Sequence, residues 1–256
     1  MLLTAKTAIV TGGSSGLGEG IVERFAKEGA KVTIVGTNLT RLEKVADKVR
    51  SMKAKCIYVQ GDISKEDDVK RIFHETKKHF GQVDILVNNA GITGRKYGDG
   101  PAHKCDIEAV SRIIDINIKG TLLCSKYALS EFVKQNNGVI VNMSSVLGLV
   151  GCSDYFNSHV YHMTKGAINQ LTRSTAIYYA KHNVRVNSLA PGLVTTNATK
   201  SVYDDLETME FVHSKQLLPD PITVEDVAGC AVFLASDLSS SVTGQVIAVD
   251  GGWTAQ

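Results

Sequence analysis

Residues 7–27 read TAIVTGGSSGLGEGIVERFAK, and the parsing of this stretch decides the fold. Thr7 to Thr11 form a short apolar, β-branched run, three glycines follow at Gly12, Gly16 and Gly18, and Leu17, Ile21, Val22 and Phe25 then recur at helical spacing. The order is strand, glycine turn, helix. Glycine permits a tight turn and lets backbone N–H groups approach a ligand closely. The helix that follows offers unpaired N–H groups and the positive end of its dipole. Such a turn suits a pyrophosphate, so Gly12, Ser14, Ser15, Gly16, Leu17 and Gly18 are candidate nucleotide contacts. The spacing departs from the common GxGxxG, with three residues between the first two glycines and one between the last two.

The same alternation continues outward. Strand-like runs recur as KVTIVG (31–36), KCIYVQGD (55–62), VDILVNNAG (83–91), GVIVNMSS (138–145), VRVNSLAPG (184–192) and QVIAVDGG (245–252). Helical patterns lie between them at 39–52, 66–80, 107–135, 161–182 and 224–234. Runs apolar on both faces, separated by helices, predict an α/β fold: a Rossmann-type doubly wound parallel sheet of about seven strands with helices on both faces. No linker or repeat divides the chain, so residues 1–256 are read as one domain. The least regular segments, near 92–104, 146–160 and 194–221, follow the carboxyl ends of strands and are read as substrate loops.

Composition excludes several roles. Net charge is +2, from 28 lysines and arginines dispersed among 26 acids, so no basic face for nucleic acid is expected. No apolar run approaches the roughly 20 residues of a membrane span. The opening MLLTAKTAIVTGG enters a strand directly, without the pattern of an export signal. The five cysteines, Cys56, Cys105, Cys124, Cys152 and Cys230, form no CxxC pair and read as free thiols, with no metal site expected. These features predict a cytoplasmic protein.

A second stretch carries chemistry. In SSVLGLVGCSDYFNSHVYHMTK (144–165), Tyr161 and Lys165 are four residues apart on a predicted helix and so share one face. Alone, that spacing is common on surface helices. Here it follows a strand that ends in Ser144 and Ser145.

TGGSSGLG, NNAG at 88–91, Asn117, YHMTK at 161–165, PGLVTT at 191–196 and VDGG at 249–252 occur in one order along the whole chain. Together they resemble the short-chain dehydrogenase/reductase family, in its compact single-domain branch. The resemblance implies an NAD(P)-dependent oxidoreductase that interconverts a secondary alcohol and a ketone. Tyr161 would be the general acid/base, Ser145 would hold the reacting oxygen, and Lys165 would bind ribose and acidify the phenol. Asn117 would hold a water linking Lys165 to solvent. A free tyrosine titrates near about 10, and bringing it to neutrality takes about 4 kcal/mol of preferential stabilisation of the phenolate. Asp62 and Ile63 would meet the adenine, and Asn88, Asn89, Ala90 and Gly91 would line the nucleotide path. Pro191, Gly192, Val194 and Thr196 would hold the nicotinamide amide.

The serine choice rests on alignment. Ser145 precedes Tyr161 by 16 residues, farther than in relatives. Because VNMSSVLGLVG still follows the family's strand-end pattern, the extra length falls in CSDYFNSHV as a short insertion over the substrate. Ser144 is the reserve serine. Thr93, Ser145, Tyr155, His159 and Leu193 are the candidate substrate contacts.

Coenzyme choice turns on charge at the end of the second strand, where a carboxylate binds the ribose hydroxyls and an arginine binds a 2′-phosphate. Gly36, Thr37 and Asn38 supply neither charge, and only Arg41 is near. A phosphate carrying roughly −2 thus lacks an obvious partner, and NAD is favoured over NADP. Two alternatives are a 3-oxoacyl carrier-protein reductase, which should show a basic patch, and a nucleotide-sensing protein, which should lack the Ser–Tyr–Lys set. The WTAQ ending resembles that of some tetrameric alcohol dehydrogenases, where the last glutamine helps hold a structural magnesium. For Gln256 a tail packed at a subunit contact is the preferred reading. The family also implies a homotetramer paired through the helices of 107–135 and 161–182.

Overall fold

A computed structural model describes residues 1–256, the side chain of Lys96 excepted. Thr7–Thr11 (β1) is buried at every position, as a strand covered on both faces must be. Alternate side chains go to opposite layers. Ala8 and Val10 join Ile21, Val22 and Phe25 of α1 (Gly16–Lys27), Leu42 and Val45 of α2 (Leu39–Ser51), and Val227, Ala231 and Leu234 of α9 (Val224–Ala235). Ile9 turns the other way. It packs with Val69, Ile72 and Phe73 of α3 (Glu66–Phe80) and with Cys124, Ala128 and Phe132 of α5 (Thr121–Gln135). The periodicity of two in the strand therefore feeds two separate cores.

The remaining strands are β2 (Lys31–Gly36), β3 (Cys56–Gln60), β4 (Ile85–Asn88), β5 (Gly138–Met143), β6 (Val184–Pro191) and β7 (Val246–Val249). They form one seven-stranded parallel sheet in the order β3-β2-β1-β4-β5-β6-β7. The order reverses between β1 and β4, and a crevice opens there at the carboxyl ends of the strands. Across β4 and β5, Asn88 pairs in register with Asn142. Asn88 Nδ2 donates to Asn142 Oδ1 at 2.9 Å and to Ser125 Oγ at 3.0 Å, and Asn142 Nδ2 donates to Thr172 Oγ1 at 2.9 Å. A buried polar ladder thus joins two strands to α5 and to α6 (His159–Tyr179).

Three departures from the sequence reading bear on function. The helix expected over 107–135 is α4 (Ile107–Ile114), then a π-helical segment Asp115–Gly120, then α5. The wider turn brings Asn117 inward until it is 0% exposed. The helix expected from Tyr161 begins at His159 and ends at Tyr179, with a 3-10 turn over Ala180–His182. Segment 194–221 contains α7 (Lys200–Tyr203) and α8 (Leu206–Lys215). All five cysteines are unpaired. Among the described residues, no helix is long and apolar enough to cross a membrane.

Candidate active site

The crevice holds a cavity of about 600 Å³ that runs from the glycine turn to Tyr161. At one end Gly12, Ser14, Ser15, Gly16 and Leu17 form its wall. Gly12 has φ +64, where a side chain would be strained, and a Cβ there would also meet Ala90 Cα at 2.9 Å. Ser15 is the N-cap of α1 but makes no side-chain capping bond, which leaves the first N–H groups of that helix to face the cavity. This is the geometry an anion needs. Gly18 lies behind the wall, backed against the Gly12 carbonyl, and does not line it.

Thr37, Asn38 and Arg41 line the cavity beyond β2, and Asp62 and Ile63 line it beyond β3. Asp62 Oδ1 accepts from the N–H of Ser64 at 3.0 Å and from its hydroxyl at 2.8 Å, which fixes the carboxylate. Asn89, Ala90 and Gly91 form the floor. Thr11 Oγ1 accepts from Asn89 N–H at 3.0 Å and Ala90 N–H at 3.1 Å, and Asn89 Nδ2 donates to Thr11 O at 3.0 Å. Asn88 is corrected: its side chain belongs to the buried ladder and does not reach the nucleotide path. Pro191, Gly192, Val194 and Thr196 close the far side. Thr196 is held by Thr199, whose hydroxyl accepts from Thr196 N–H at 3.0 Å and donates to Val194 O at 2.6 Å.

Ser145, Tyr161 and Lys165 meet at this end of the same cavity. Ser145 is placed by β5 and by the 3-10 turn Val146–Gly148, which it caps by accepting from Leu147 N–H at 3.2 Å. That turn lies hard against α6: a Cβ on Gly148 would come within 2.6 Å of the Lys165 carbonyl carbon. Asn169 Nδ2 also donates to Gly148 O at 3.1 Å. Strand end and helix are thereby locked together, and Ser145 is locked to Tyr161. Ser144, which also lines the cavity, donates its hydroxyl to Lys165 O at 3.0 Å.

Lys165 is 4% exposed, its Nζ 5.4 Å from the centroid of the Tyr161 ring and donating to Met143 O at 2.8 Å. Burial pushes the Tyr161 phenol up to about 12, with a hydrogen bond from Ser145 pulling the other way. Burial also draws the Lys165 ammonium down to about 8. In the protein alone, burial is the largest influence on this phenol.

Asn117 lies one layer behind. Its Nδ2 donates to Ile92 O at 2.9 Å and Thr164 Oγ1 at 3.1 Å, and its Oδ1 accepts from Ile92 N–H at 2.9 Å. The side chain is committed to that peptide and does not line the cavity. Asn117 Oδ1 and Lys165 Nζ converge on Gly91, at 3.2 and 3.6 Å from where its Cβ would be.

The substrate contacts divide. Thr93 lines the main cavity. Tyr155 and His159 do not: they line a neighbouring cavity of about 560 Å³ with Pro101, Cys152 and Phe211. Tyr155 stacks on Phe211 with centroids 4.9 Å apart, and His159 Nε2 lies 3.2 Å from Cys152 Sγ. Leu193 is corrected as well, since it packs with Val146, Val212 and Trp253. Its N–H donates to Gln216 Oε1 at 2.5 Å. The sequence reading missed Gln216, Thr199, and the pair formed by Arg112 and the Tyr97 ring, 4.3 Å apart at the cavity mouth. Each lies in a loop or on a helix face with no motif to flag it. Gln256 Nε2 donates to Lys215 O at 2.9 Å, which ties the tail to α8.

Comparison with known proteins agrees with this geometry. A family model described as Enoyl-(Acyl carrier protein) reductase matches residues 12–254. The chain is 36% identical over 250 residues to a cis-4-hydroxycyclohexanecarboxylate dehydrogenase of Sinomonas cyclohexanicum, covering 98% of this chain and 97% of that protein. It is 35% identical over 258 residues to glucose 1-dehydrogenase 2 of Bacillus subtilis, covering 98% and 96%. The solved structure of a short-chain type dehydrogenase/reductase from Mycobacterium ulcerans superposes with a TM-score of 0.94 at 32% identity, covering 100% of this chain and 92% of that one. With a serine, a half-buried phenol and a buried amine lining one crevice at the switch point of the sheet, the chain belongs to the short-chain dehydrogenase/reductase family of NAD(P)-dependent oxidoreductases.

Proposed function

We propose that the protein interconverts a secondary alcohol and a ketone with NAD, Tyr161 giving or taking the proton. One observation carries the reading: Ser145, Tyr161 and Lys165 stand at one end of a cavity whose other end is the uncapped start of α1. The uncapped N–H groups would take the pyrophosphate, Asp62 and Ile63 the adenine, and Thr196 with Val194 the amide of the nicotinamide. Bound there, the coenzyme would accept or supply hydride. Ser145 would hold the reacting oxygen by hydrogen bond, and the Tyr161 hydroxyl beside it would pass the proton to or from that oxygen. Lys165, charged at neutral pH, would stabilise the phenolate left behind.

NAD is favoured because Gly36, Thr37 and Asn38 place no cation at the end of β2, and Asn38 Oδ1 is already engaged by Arg41 N–H at 2.9 Å. Among the described residues Arg41 is the cation lining that end of the cavity; it sits past the end of β2, on α2, and a 2′-phosphate would have to draw on it alone. The cis-4-hydroxycyclohexanecarboxylate dehydrogenase it resembles supports a ring alcohol as substrate. Apolar side chains exposed on α5 and α6, among them Leu122, Met163, Ile177 and Tyr178, support assembly as a homotetramer.

The test is a panel of cyclohexanol, 4-hydroxycyclohexanecarboxylate, glucose and a hydroxysteroid, offered with NAD and with NADP and followed by absorbance of the reduced nicotinamide. Turnover with NAD is expected, lost by at least about a thousandfold in Tyr161→Phe while NADH still binds in a fluorescence titration. Near-normal activity of that variant would overturn the assignment.

A further inference from the structure

The helix that carries Tyr161 starts without a cap of its own. Ser158 is its N-cap residue and makes no side-chain bond to the first turn. Three N–H groups, those of His159, Val160 and Tyr161, are therefore left to be satisfied from outside the helix. All three are satisfied, and all by one short piece of the loop 92–104. His159 N–H donates to Gly100 O at 3.2 Å, Val160 N–H to Asp99 Oδ1 at 3.2 Å, and Tyr161 N–H to Asp99 Oδ2 at 3.1 Å. Asp99 is itself 6% exposed, and its N–H donates to Gly94 O at 3.2 Å, which closes the turn that presents the carboxylate.

We propose that Asp99 is a positioning residue for the reaction, its carboxylate standing in for the missing cap of α6 and thereby fixing Tyr161. The inference rests on Tyr161 being the proton-transfer group. A carboxylate suits the place for two reasons. It accepts two charge-assisted hydrogen bonds from successive N–H groups, and its negative charge faces the positive end of a 21-residue helix. The same loop touches α6 again one turn on: Ile92 pairs with Asn117, which donates to Thr164 Oγ1 at 3.1 Å, and Thr164 Oγ1 donates to Tyr161 O at 2.8 Å. Tyr161 is thus gripped at its N–H and its carbonyl by contacts that lead back to one loop. Thr93, at the start of that loop, lines the coenzyme cavity. Order in the substrate loop and placement of the phenol become one property.

Asp99→Asn replaces one acceptor oxygen by an N–H₂ that faces a helix N–H. The variant is expected to lower kcat roughly tenfold or more for the panel alcohol turned over fastest, while its KM and the Kd for NADH move less than about twofold. Hydrogen–deuterium exchange of amides 159–161 is expected to quicken, with the middle of α6 unchanged. Ser158→Asp in the Asp99→Asn background supplies a carboxylate from the cap position itself, and it should slow that exchange and restore kcat to within about threefold of wild type. If Asp99→Asn alone fails to fold, recovery of fold and turnover in the double variant supports the proposal, and failure to recover overturns it. Unchanged exchange and kcat in Asp99→Asn, or a loss that Ser158→Asp cannot reverse in a folded protein, also overturns it. An active Tyr161→Phe would instead sink the assignment of the tyrosine, so the two failures are distinguishable.

Discussion

Two adjacent serines close β5, and their hydroxyls have different tasks. Both line the cavity, but Ser145 bonds to the phenol, whereas the Ser144 hydroxyl ties β5 to the Lys165 carbonyl. Ser145→Ala is therefore expected to cost on the order of a hundredfold in kcat with little change in Tm. Ser144→Ala should cost about 1 kcal/mol of stability, read by denaturant titration, and far less activity. Lys165 gives a prediction with a sign. Burial holds it at about 8 against an ordinary 10.5, so between those values the unfolded chain binds the extra proton and stability rises with pH. Below pH 8 the whole cost of the buried charge, on the order of 3 kcal/mol, is present. Lys165→Met should then raise the unfolding free energy at pH 7, and the gain should shrink toward pH 10.5 while turnover disappears. At this scale the sequence was informative where motif residues sit on regular elements, as Tyr161 and Lys165 do. It was less informative for Tyr155, His159 and Leu193, because an irregular loop has no periodicity from which side-chain direction can be inferred.

Among the elements, the 3-10 turn Val146–Gly148 fixes the distance between strand and helix. A methyl group at Gly148 would press on the backbone of Lys165 and Gly166, at 2.6 and 2.9 Å, and neither can yield without moving α6. Gly148→Ala is expected to lower kcat at least about tenfold by parting Ser145 from Tyr161. NADH affinity, measured by fluorescence titration, should persist because the glycine turn at 12–18 is untouched. The π-helical segment at Asp115–Gly120 shows the limit of pattern reading for elements. Its apolar residues continue the helical rhythm on either side, so the sequence reads as one unbroken helix. The wider turn is set by tertiary contacts, the bonds of Asn117 to the Ile92 peptide. Those partners are far apart in sequence, and no local signal announces them.

For the whole molecule, alternation of apolar strands with helices was enough to foretell the sheet, since a parallel strand needs apolar side chains toward both helical layers. The proposed assembly would leave a weaker trace, in the apolar side chains at the surface. Ile177 is 81% exposed and Tyr178 64% exposed on α6, beside Met163 at 51%. If the proposed homotetramer forms through α6, wild type should scatter as a tetramer and Ile177→Asp as smaller species, whereas a tetramer unaffected by the charge would move the contact elsewhere. The paired asparagines of β4 and β5 also act at this scale. A slip of one residue between those strands would strand several amides in hydrocarbon, each unable to find its mate, at a cost of about 1–3 kcal/mol apiece. The ladder thus works as a proofreading key for strand alignment: it tolerates one pairing of the central strands, and Ser145, three residues beyond Asn142, can only arrive at the phenol when that pairing is correct.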